Sequence, residues 1–470
     1  MPVNCLLVVD IGKTNLKLSV LDAAGSTRFS RTTTNLIRRD DIYPSYDVGA
    51  IWKWMLSTIV DAARSQAISH ICVAAHGAGA ALIHSDAEKS DDGLVLPVMD
   101  YEWDGVREFD YAYDELRPDF HESYSPNLPA GLNLVRQLYW QSKRFPDEFA
   151  ASTHILPYAQ YWSWRLCGVA ASEVSAFGSH TDLWAPMDKI FSSLVERLNW
   201  QEKFAPMQPA WAVLGDILPA VADATGIAPD CKVLTGVHDS NASCARFLGM
   251  AAGDRPTVVS TGTWTVCMHP GGDLAKLDER RDMLANVDVT GAPIACARFM
   301  GGREFAEICE RTGSKPTGTC SIGEIQSVIN DGVFALPDFS GGSGPFGRRR
   351  AEISGGVDEG LALANLYAAL MIDLELDLLG ASGPVVIDGS FTENEVLCGL
   401  VAALRPGCSI ARLSGADGVA QGCLRLAQWE SGQYHAPEPV QCEQIKLEGL
   451  GEYRDAWRLR CEKTSEENDA

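Results

Sequence analysis

A pattern of strand, glycine turn and strand occurs twice in this chain of 470 residues. The apolar run Cys5–Asp10 leads into Gly12, the run Pro256–Ser260 leads into Gly262, and an extended stretch follows each turn. Aligning the two glycines gives an offset of 250 residues (262 − 12). A repeated supersecondary unit indicates a duplicated domain. We therefore expect two similar domains with a cleft between them.

The segments between these turns alternate between strand and helix patterns. Residues Asp47–Ala67 carry apolar side chains at helical spacing, and His70–Ile83 is typical of a strand that glycines interrupt. In the second half, Glu359–Leu379 predicts a helix and Pro384–Ile387 predicts a strand. Alternating strands and helices are typical of an α/β fold.

The chain carries 62 acidic and 39 basic residues, which gives a formal charge of −23. Such a charge disfavours binding to nucleic acid and to anionic membranes. No apolar stretch approaches the roughly 20 residues that cross a bilayer, and the N-terminal apolar run ends at Asp10, too early for a signal peptide. The 14 cysteines include no Cys-x-x-Cys pair, which favours buried thiols in a reducing compartment. We expect a cytoplasmic protein.

The first candidate site is the turn Gly12–Asn15. It is not a Walker A loop, because Leu7 stands where the first glycine of that motif belongs. Its backbone N–H groups, hydroxyl and amide can nevertheless bind phosphate oxygens, and Asp10 is placed to hold Mg²⁺ through water. An ordinary hairpin turn is the alternative interpretation.

The loop Gly236–Asn241 follows a predicted strand and contains one carboxylate, Asp239. This carboxylate can accept a proton from a substrate hydroxyl. It can equally cap the next helix, because Asp-Ser-Asn is a fair helix start. The two roles are not exclusive, and the sequence leaves both open.

Two further segments have the composition of a binding site. His76 lies among small residues, which allow a ligand to approach the backbone closely. The segment Asp100–Asp104 combines aromatic rings with carboxylates, which suits the C–H faces and hydroxyls of a sugar. The alternatives are a structural histidine and a surface loop with one buried tryptophan.

The segment Gly342–Gly347 satisfies the pattern G-x-G-x-x-G, and Arg348–Arg350 follows it. Pro345 and the arginines are not typical of a helix start, so a flexible loop is favoured over a dinucleotide site. We expect the arginines to form a solvated run, with contact to nucleotide phosphates as the alternative.

Taken together, these segments resemble the FGGY family of carbohydrate kinases, within the actin-like ATPase superfamily. The resemblance extends from about Leu6 to Ala427, and its motifs are Asp10–Asn15, Asn133–Pro146, Gly236–Asp239, Val259–Trp264 and Asp388–Asn394. The Gly-Thr-Trp and His-Asp pairings look closer to L-fuculokinases and rhamnulokinases than to glycerol kinases. Three positions depart from the family pattern: Asp388 begins the adenosine motif, Gly399 stands near the place where a glutamine is often found, and Gln137 stands where a lysine is common.

The resemblance implies two actin-like (ribonuclease H-like) domains, over residues 1–243 and 244–436, with a C-terminal extension over 437–470. It also implies ATP and Mg²⁺ as cofactors, a small sugar as the substrate, and a homodimer. Asp239 is the implied catalytic base, with Asp10 and Asp239 near the metal. The implied ATP and phosphate contacts are Gly12, Lys13, Thr14, Asn15, Gly262, Thr263, Gly389 and Asn394. The implied sugar contacts are His76, Gly77, Trp103, Arg107, His238 and Asp239.

The predicted function is ATP-dependent phosphorylation of a ketose hydroxyl, as in L-rhamnulose or L-fuculose. A pentulose (xylulose or ribulose) or a polyol is the alternative acceptor. A non-catalytic sugar-binding regulator is the alternative of another class, although the sequence contains no basic segment suited to DNA. A chaperone-like ATPase does not account for the aromatic segment Tyr101–Trp211, and a dehydrogenase has only the Gly342–Gly347 pattern in its favour.

Overall fold

The computed structural model describes residues 3–84, 92–248, 255–347, 349–356, 358–413, 417–434 and 438–466. Up to residue 248, the strands and helices are, in chain order, β1 (Cys5–Ile11), β2 (Asn15–Asp22), β3 (Thr27–Thr34), β4 (Ile37–Arg38), β5 (Ser45–Tyr46), α1 (Val48–Ala63), β6 (Ile68–Ala75), β7 (Ala80–Ile83), α2 (Asp110–Asp114), α3 (Phe120–Ser123), α4 (Leu134–Arg144), α5 (Pro146–Ala151), β8 (His154–Pro157), α6 (Tyr158–Cys167), α7 (Val174–Phe177), β9 (Trp184–Ala185), β10 (Ile190–Phe191), α8 (Ser193–Arg197), β11 (Val213–Asp216), α9 (Pro219–Thr225), β12 (Lys232–Leu234), β13 (Val237–His238) and α10 (Asp239–Ala245). From residue 255 onward they are β14 (Thr257–Thr261), β15 (Thr265–Pro270), β16 (Met283–Val287), β17 (Pro293–Phe299), α11 (Gly301–Arg311), α12 (Ile322–Asp331), β18 (Phe334–Leu336), β19 (Glu352–Ser354), α13 (Gly360–Leu378), β20 (Val385–Gly389), α14 (Glu395–Leu404), β21 (Ile410–Arg412), α15 (Gly418–Ala427), β22 (Val440–Gln441) and α16 (Leu450–Glu466).

The chain divides into two compact units. Unit 1 comprises residues 1–246, 285–293 and 417–436, and unit 2 comprises residues 247–284, 294–416 and 437–470. The chain therefore returns to unit 1 twice after leaving it, and the second return contributes α15. Each unit is built on a mixed sheet.

The sheet of unit 1 has the strand order β11-β12-β6-β1-β2-β3, and β13 also pairs with β6. β1, β12 and β13 all run parallel to β6, whereas β2 is antiparallel to both β1 and β3. The apolar run Leu6–Val9 is buried, as expected for a central strand in an α/β sheet. The predicted helix Asp47–Ala67 is α1, which buries Ile51, Met55 and Ile59 in the core and is capped by Asp47.

The predicted interruption of the strand His70–Ile83 is the break between β6 and β7. Ala78 adopts a positive φ of 53° there, so the chain turns sharply after β6 instead of continuing along it. The residues that follow β6 therefore lie at the carboxyl end of the sheet, where β1 also ends.

Six consecutive strands of the seven-stranded sheet of unit 2, in the order β17-β15-β14-β20-β21-β22, repeat the arrangement of unit 1. β14 and β15 form an antiparallel hairpin, β17 extends it, and β20 and β21 continue in parallel on the other side of β14. β22 is an antiparallel edge strand, as β11 is in unit 1. The duplication predicted from Gly12 and Gly262 is therefore confirmed.

The cysteines are free thiols, and most of them are buried. All 14 cysteines lie among the described residues, none forms a disulfide, and all but Cys5, Cys408 and Cys442 are buried. None of the helices that the structure describes is both long enough and apolar enough to cross a bilayer.

Candidate functional site

Parallel strands of unit 1 end side by side and bring distant polar residues together. The register aligns Asp10, near the end of β1, with the end of β6, and pairs His238, the last residue of β13, with the last residue of β6. His76 and Asp239 follow β6 and β13 directly. With Asp417, whose charge acts on Asp10, these residues form what we call the strand-end cluster: Asp10, His76, His238, Asp239 and Asp417.

Asp10 lies close to other carboxylates. Burial raises the pKa of Asp10 well above its usual range, and the negative charges of Asp239 and Asp417 raise it further. Lys17 opposes this effect and pairs with Asp417, with 2.7 Å between Nζ and Oδ2. Sequence reasoning missed Asp417, because an aspartate before a helix of small residues indicates only a cap, which it also is.

Asp239 is the first residue of α10, where its Oδ1 accepts a hydrogen bond from the backbone N–H of Ser240 at 2.6 Å. The same oxygen lies 3.3 Å from Nε2 of His238, and 25% of the Asp239 side chain is exposed. The N-cap of α10 is His238, so Asp239 lies in the first turn of the helix and does not cap it. Its carboxylate stays accessible, as the role of a proton acceptor requires.

The imidazole of His76 is buried among aromatic rings. Its centroid lies 5.0 Å from that of Tyr46, 5.5 Å from Tyr101 and 5.2 Å from Tyr158. Its Nδ1 lies 2.7 Å from the carbonyl oxygen of Gly77, which can only accept, so Nδ1 carries a proton. Burial lowers the pKa of His76 to about 4, which leaves Nε2 as an acceptor in the neutral ring. This Nε2 is buried and has no hydrogen-bond partner among the described residues.

Lys13 lies against the loop after residue 99 rather than over its own turn. It forms an ion pair with Asp100, and its Nζ lies 3.7 Å from the carboxylate of Glu102. The Nζ also lies 4.8 Å from the ring centroid of Tyr101, one of the rings around His76. The structure thus places Lys13, a predicted phosphate contact, beside the rings that enclose His76.

The other residues of the first glycine turn are arranged around Asn35. Its Nδ2 donates to the carbonyl of Gly12 at 2.8 Å, and its backbone N–H donates to the carbonyl of Thr14 at 2.7 Å. Thr14 and Asn15 are exposed. A turn whose carbonyl groups are engaged in this way presents N–H groups and side chains, as phosphate binding requires. Sequence reasoning missed Asn35, which is distant from the turn along the chain.

Trp103 and Arg107 make packing and surface contacts. Trp103 stacks on Tyr43 with 5.9 Å between ring centroids and meets Trp140 edge to face at 4.9 Å. Arg107 is exposed, and its Nε lies 3.0 Å from the carboxylate of Asp110. The contacts that the structure describes for these two predicted sugar-binding residues are therefore with other side chains of the protein.

Gln137 fixes the backbone next to His76. Its Nε2 donates to the carbonyl of Ala78 at 2.7 Å and to that of Gly131 at 2.6 Å. These bonds hold the positive-φ turn at Ala78 that follows Gly77. Gln137, which departs from the family pattern, thus fixes the backbone just after Gly77.

Unit 2 contains a cavity of about 1010 Å³ at the carboxyl ends of β14 and β20. It is lined by Gly262, Thr263, Gly302, Arg303, Phe305, residues 316–319, Ser390, Phe391 and residues 393–396. Four of the predicted ATP and phosphate contacts lie in unit 2. Gly262, Thr263 and Asn394 line this one cavity, and Gly389 directly precedes Ser390, which also lines it. The cavity is large enough for a nucleotide.

Close backbone approaches shape the wall of this cavity. A Cβ at Gly302 would lie 2.2 Å from the carbonyl oxygen of Gly262, and a Cβ at Gly389 would lie 2.0 Å from that of Thr261. Gly389 also has a positive φ of 88°, which favours glycine. Asn394 caps α14 by accepting a backbone N–H at 3.0 Å. Side chains larger than hydrogen at these two glycines would displace the backbone of the cavity wall.

The Gly342–Gly347 pattern lies in the connection between β18 and β19, so the prediction of a loop is confirmed. Arg348 lies outside the described residues. Arg349 donates to the carbonyl of Cys461 and lies over the ring of Phe346. The contact described for this arginine is therefore with α16.

Comparisons with known proteins agree on one family. A family model described as carbohydrate kinase FGGY, C-terminal domain, matches residues 254–436. A carbohydrate kinase from Novosphingobium aromaticivorans is 35% identical, with a TM-score of 0.85 over 98% of this chain and 99% of that chain. A ligand-bound xylulose kinase and a gluconate kinase, both from Lactobacillus acidophilus, are each 14% identical, with TM-scores of 0.80 and 0.78 over 98% of this chain and 97% of theirs. No curated protein matches the chain significantly by sequence.

The repeated sheet and these structural similarities define the class as two-domain, actin-like α/β sugar kinases, which confirms the predicted fold class. The two similarities at 14% identity show the fold alone. The similarity at 35% identity extends over nearly the whole of both chains, and the family match covers the second half. The chain belongs to the FGGY family of carbohydrate kinases. It is an enzyme of a family that transfers phosphate from ATP to small sugars.

Proposed function

We propose that this kinase phosphorylates a ketose, with L-rhamnulose and L-fuculose as the first candidates, and that Asp239 is the general base. The segment 262–264 and the pair His238-Asp239 support this choice by resemblance. A pentulose or a polyol is the alternative acceptor.

The position of Asp239 beside Asp10 and His76 is the observation that carries this proposal. A general base must lie within hydrogen-bond reach of the proton that it removes. Asp239 keeps an accessible carboxylate, and the buried Nε2 of His76 is an acceptor without a donor among the described residues. Two hydroxyl groups of one sugar can supply the donors for both.

ATP is proposed to occupy the cavity of unit 2. Gly262, Thr263 and Asn394 all line this cavity. Backbone N–H groups at glycine turns bind phosphate oxygens without a side chain in the way. Thr14 and Asn15, exposed at the first glycine turn, are proposed as further phosphate contacts.

Asp10 and Asp239 fit a Mg²⁺ site. Among the described residues there is no preassembled group of three or more metal-ligating side chains. Mg²⁺ does not require one, because it commonly binds one or two carboxylates and completes its shell with waters and substrate phosphates. Burial is the main cause of the raised pKa of Asp10, and the negative charges of Asp239 and Asp417, which a cation would offset, add to it. When bound, Mg²⁺ neutralises charge on the phosphate oxygens.

In the proposed reaction, Asp239 orients the sugar hydroxyl and accepts its proton as the oxygen attacks the γ-phosphorus. The bond from that phosphorus to the bridging oxygen of ADP breaks. Phosphoryl transfer requires little covalent help from the protein, so alignment and charge are the contributions of this chain. His76 stays neutral and accepts a hydrogen bond from another hydroxyl.

An ADP-release assay with Mg·ATP tests the proposal against L-rhamnulose, L-fuculose, D- and L-xylulose, D- and L-ribulose, erythritol and glycerol. We expect strong turnover with a ketose. With that sugar, Asp239→Asn should lower kcat by about 10²–10⁴, the usual range for a positioned general base. The matched control is Asp61→Asn on the surface of α1, which should leave kcat unchanged.

Near-normal kcat in the Asp239→Asn variant would remove Asp239 from its role. Calorimetric binding of one of these sugars without ADP release from any of them would instead support the regulator alternative.

A further inference from the structure

Two cysteines of unit 2 lie side by side, one on α14 and the other directly after β22. Cys398 is buried, whereas Cys442 is half-buried. The backbone N–H of Cys442 donates to the carbonyl of Ile410 at 2.9 Å, which continues the pairing of β22 with β21. Both cysteines line one cavity of about 540 Å³, so a small molecule can reach the space beside them.

Gly399 allows α14 and the segment after β22 to approach each other. A Cβ at Gly399 would lie 2.7 Å from Cγ1 of Ile445 and 3.0 Å from the carbonyl oxygen of Glu443. The backbone N–H of Ile445 also donates to the carbonyl of Gly399 at 3.4 Å. A glycine inside a helix costs up to about 1 kcal/mol relative to alanine, and this close packing is a physical reason for it. The glycine at this position therefore brings the neighbouring Cys442 next to Cys398.

The two thiols interact with each other and differ in acidity. The hydrogen bond from Cys398 lowers the pKa of Cys442, against the opposing effect of burial. The cation of Arg412 lowers that pKa further, and the charge of Glu395 opposes it. The same hydrogen bond, together with burial, raises the pKa of Cys398. The thiolate is the reactive form of a cysteine, so the more exposed Cys442 is the thiol that an oxidant attacks first.

Cys398 also contacts the wall of the cavity in which ATP is proposed to bind. Its Sγ lies 3.5 Å from the carbonyl oxygen of Phe391, a residue that lines that cavity. Asn394, which caps α14, lines it as well, and so do Glu395 and Val396 in the first turn of the helix. A change at the sulfur of Cys398 therefore acts directly on the lining of the cavity.

We propose that Cys442 and Cys398 form a redox modification site, at which an oxidant of the peroxide class converts the two thiols into a disulfide and thereby weakens the binding of ATP. In a reducing compartment such a bond is transient and forms only while the oxidant is present. The effect on ATP rests on the proposed function, because it requires the nucleotide in the cavity of unit 2. The formation of the disulfide does not depend on it.

The oxidation takes place in two steps. The thiolate of Cys442 attacks one oxygen of hydrogen peroxide: an S–O bond forms, the O–O bond breaks, and the departing hydroxide takes up a proton to become water. The sulfur of Cys398 then attacks the sulfenic sulfur: the S–S bond forms, the S–O bond breaks, and the leaving hydroxide takes the thiol proton as a second water. The two cysteines lose two electrons and the peroxide gains them. A dithiol returns them by thiol–disulfide exchange.

A disulfide changes both the position and the protonation of the Cys398 sulfur. Because an S–S bond is only about 2.05 Å long, the two sulfurs must move closer together than two thiols in contact. The sulfur also loses the proton that it can donate to the carbonyl of Phe391. We expect the KM for ATP to rise about 5-fold in the oxidised protein, the effect of one lost hydrogen bond, with the KM for the sugar unchanged.

Peptide mapping of the full chain after treatment with hydrogen peroxide tests the site. We expect peptides joined through residues 398 and 442, and we expect dithiothreitol to remove the link and to restore the KM for ATP. Cys442→Ser should form no link and should keep its KM for ATP in peroxide. In Cys398→Ala, dimedone, which captures sulfenic acids, should label Cys442.

Other thiols of the same chain are controls. Cys408 is also half-buried, but its Sγ lies 3.5 Å from the carbonyl oxygen of Ser382, so Cys408→Ser should form the link as the unaltered protein does. Cys72 and Cys423 interact as a pair in unit 1, yet both are fully buried, so they should stay reduced in the same sample.

Peroxide that leaves residues 398 and 442 unlinked would overturn the inference, as would equal KM values for ATP in the reduced and the linked protein. Both outcomes leave the proposed function standing. A rise in the KM for ATP that persists in Cys442→Ser would also overturn it, and an unlabelled Cys442 in Cys398→Ala would overturn the order of the two steps. If no sugar is turned over, the proposed function fails, and calorimetry with a non-hydrolysable ATP analogue decides the inference: weaker binding to the linked protein that dithiothreitol reverses supports it, and unchanged or undetectable binding overturns it.

Discussion

At the scale of single residues, Lys13 forms an ion pair that its motif does not predict. It belongs to a glycine turn with a phosphate-binding pattern, yet in the structure it pairs with Asp100. The side chain of Asp100 is 8% exposed and that of Lys13 is 19% exposed. Removing one partner of such a pair leaves a charge that little solvent can stabilise.

Replacing Lys13 by Met should therefore lower the free energy of unfolding by about 1–3 kcal/mol. Adding Asp100→Asn to the same chain should recover most of that loss, because the unpaired charge is then gone. Chemical denaturation of the two single variants and the double variant measures the coupling. Strictly additive losses would show that the pair contributes nothing to stability.

Glu304 on α11 is a buried carboxylate of unit 2. The hydroxyl of Tyr367 donates to it. Burial raises the pKa of Glu304 to about 7, and the negative charge of Asp338 adds to the effect. The folded protein therefore holds this proton to a higher pH than the unfolded chain does.

This difference predicts a pH-dependent stability. The group titrates near 4.5 when unfolded and near 7 when folded, so its contribution is fully present below pH 4.5 and is lost as the pH rises through 7. Glu304→Gln does not undergo that loss. Its free energy of unfolding should therefore rise by roughly 2–3 kcal/mol relative to that of the unaltered protein between pH 4.5 and pH 8. Urea unfolding at the two pH values measures this difference, with the half-buried Glu307→Gln on the same helix as control. A stability difference that stays constant with pH would contradict the prediction.

At the scale of elements, the contact between α10 and α15 places two carboxylates of unit 1 at neighbouring helix starts. Asp239 begins α10 and Asp417 caps α15. The helices meet closely at Gly422, where an added Cβ would lie 1.8 Å from the carbonyl oxygen of Ala242. A side chain at this glycine must push the two helices apart.

Gly422→Ala is therefore expected to lower the free energy of unfolding by about 1–3 kcal/mol and to reduce kcat, because both carboxylates move. Thermal unfolding and the ADP-release assay measure the two effects. Gly451→Ala in α16, where no heavy atom lies within 4 Å of the added Cβ, is the matched helical control. It should be neutral or stabilising by up to about 1 kcal/mol. Equal stability of the two variants would show that the helices tolerate the added methyl group.

At the scale of the whole molecule, the two units are proposed to bind different substrates. The strand-end cluster belongs to unit 1, whereas the large glycine-lined cavity belongs to unit 2. With a formal charge of −23 the protein as a whole repels anions. Phosphate binding must therefore depend on local hydrogen-bond donors.

Hydrogen exchange should separate the two binding sites. A non-hydrolysable ATP analogue is expected to give its strongest protection in peptides that contain residues 262–263, 302–305 and 390–396 of unit 2. The preferred sugar should protect residues 76–79 and 238–241 most strongly. Strongest protection by the sugar in the unit 2 peptides would contradict the division of roles.

The sequence by itself determined the features that depend on neighbouring residues. Apolar runs with a glycine turn predicted both hairpins, and the spacing of apolar residues predicted α1. The equal patterns around Gly12 and Gly262 predicted the repeated sheet. Such features follow from backbone hydrogen bonding and side-chain periodicity within one short window. The helix α16 was not predicted, because most of its sequence is polar. Its Tyr453 and Trp457 are nevertheless buried, and they donate to the carbonyls of Val333 and Ala335, respectively.

The tertiary structure alone decided which distant residues share a site. Parallel pairing of β1, β6 and β13 brings together Asp10, His76 and Asp239, and the second return of the chain to unit 1 adds Asp417. The position of His180 beside Gly77 likewise depends on how a segment far along the chain packs. No local pattern encodes these neighbours, because they are set by sheet register and helix packing over long sequence separations.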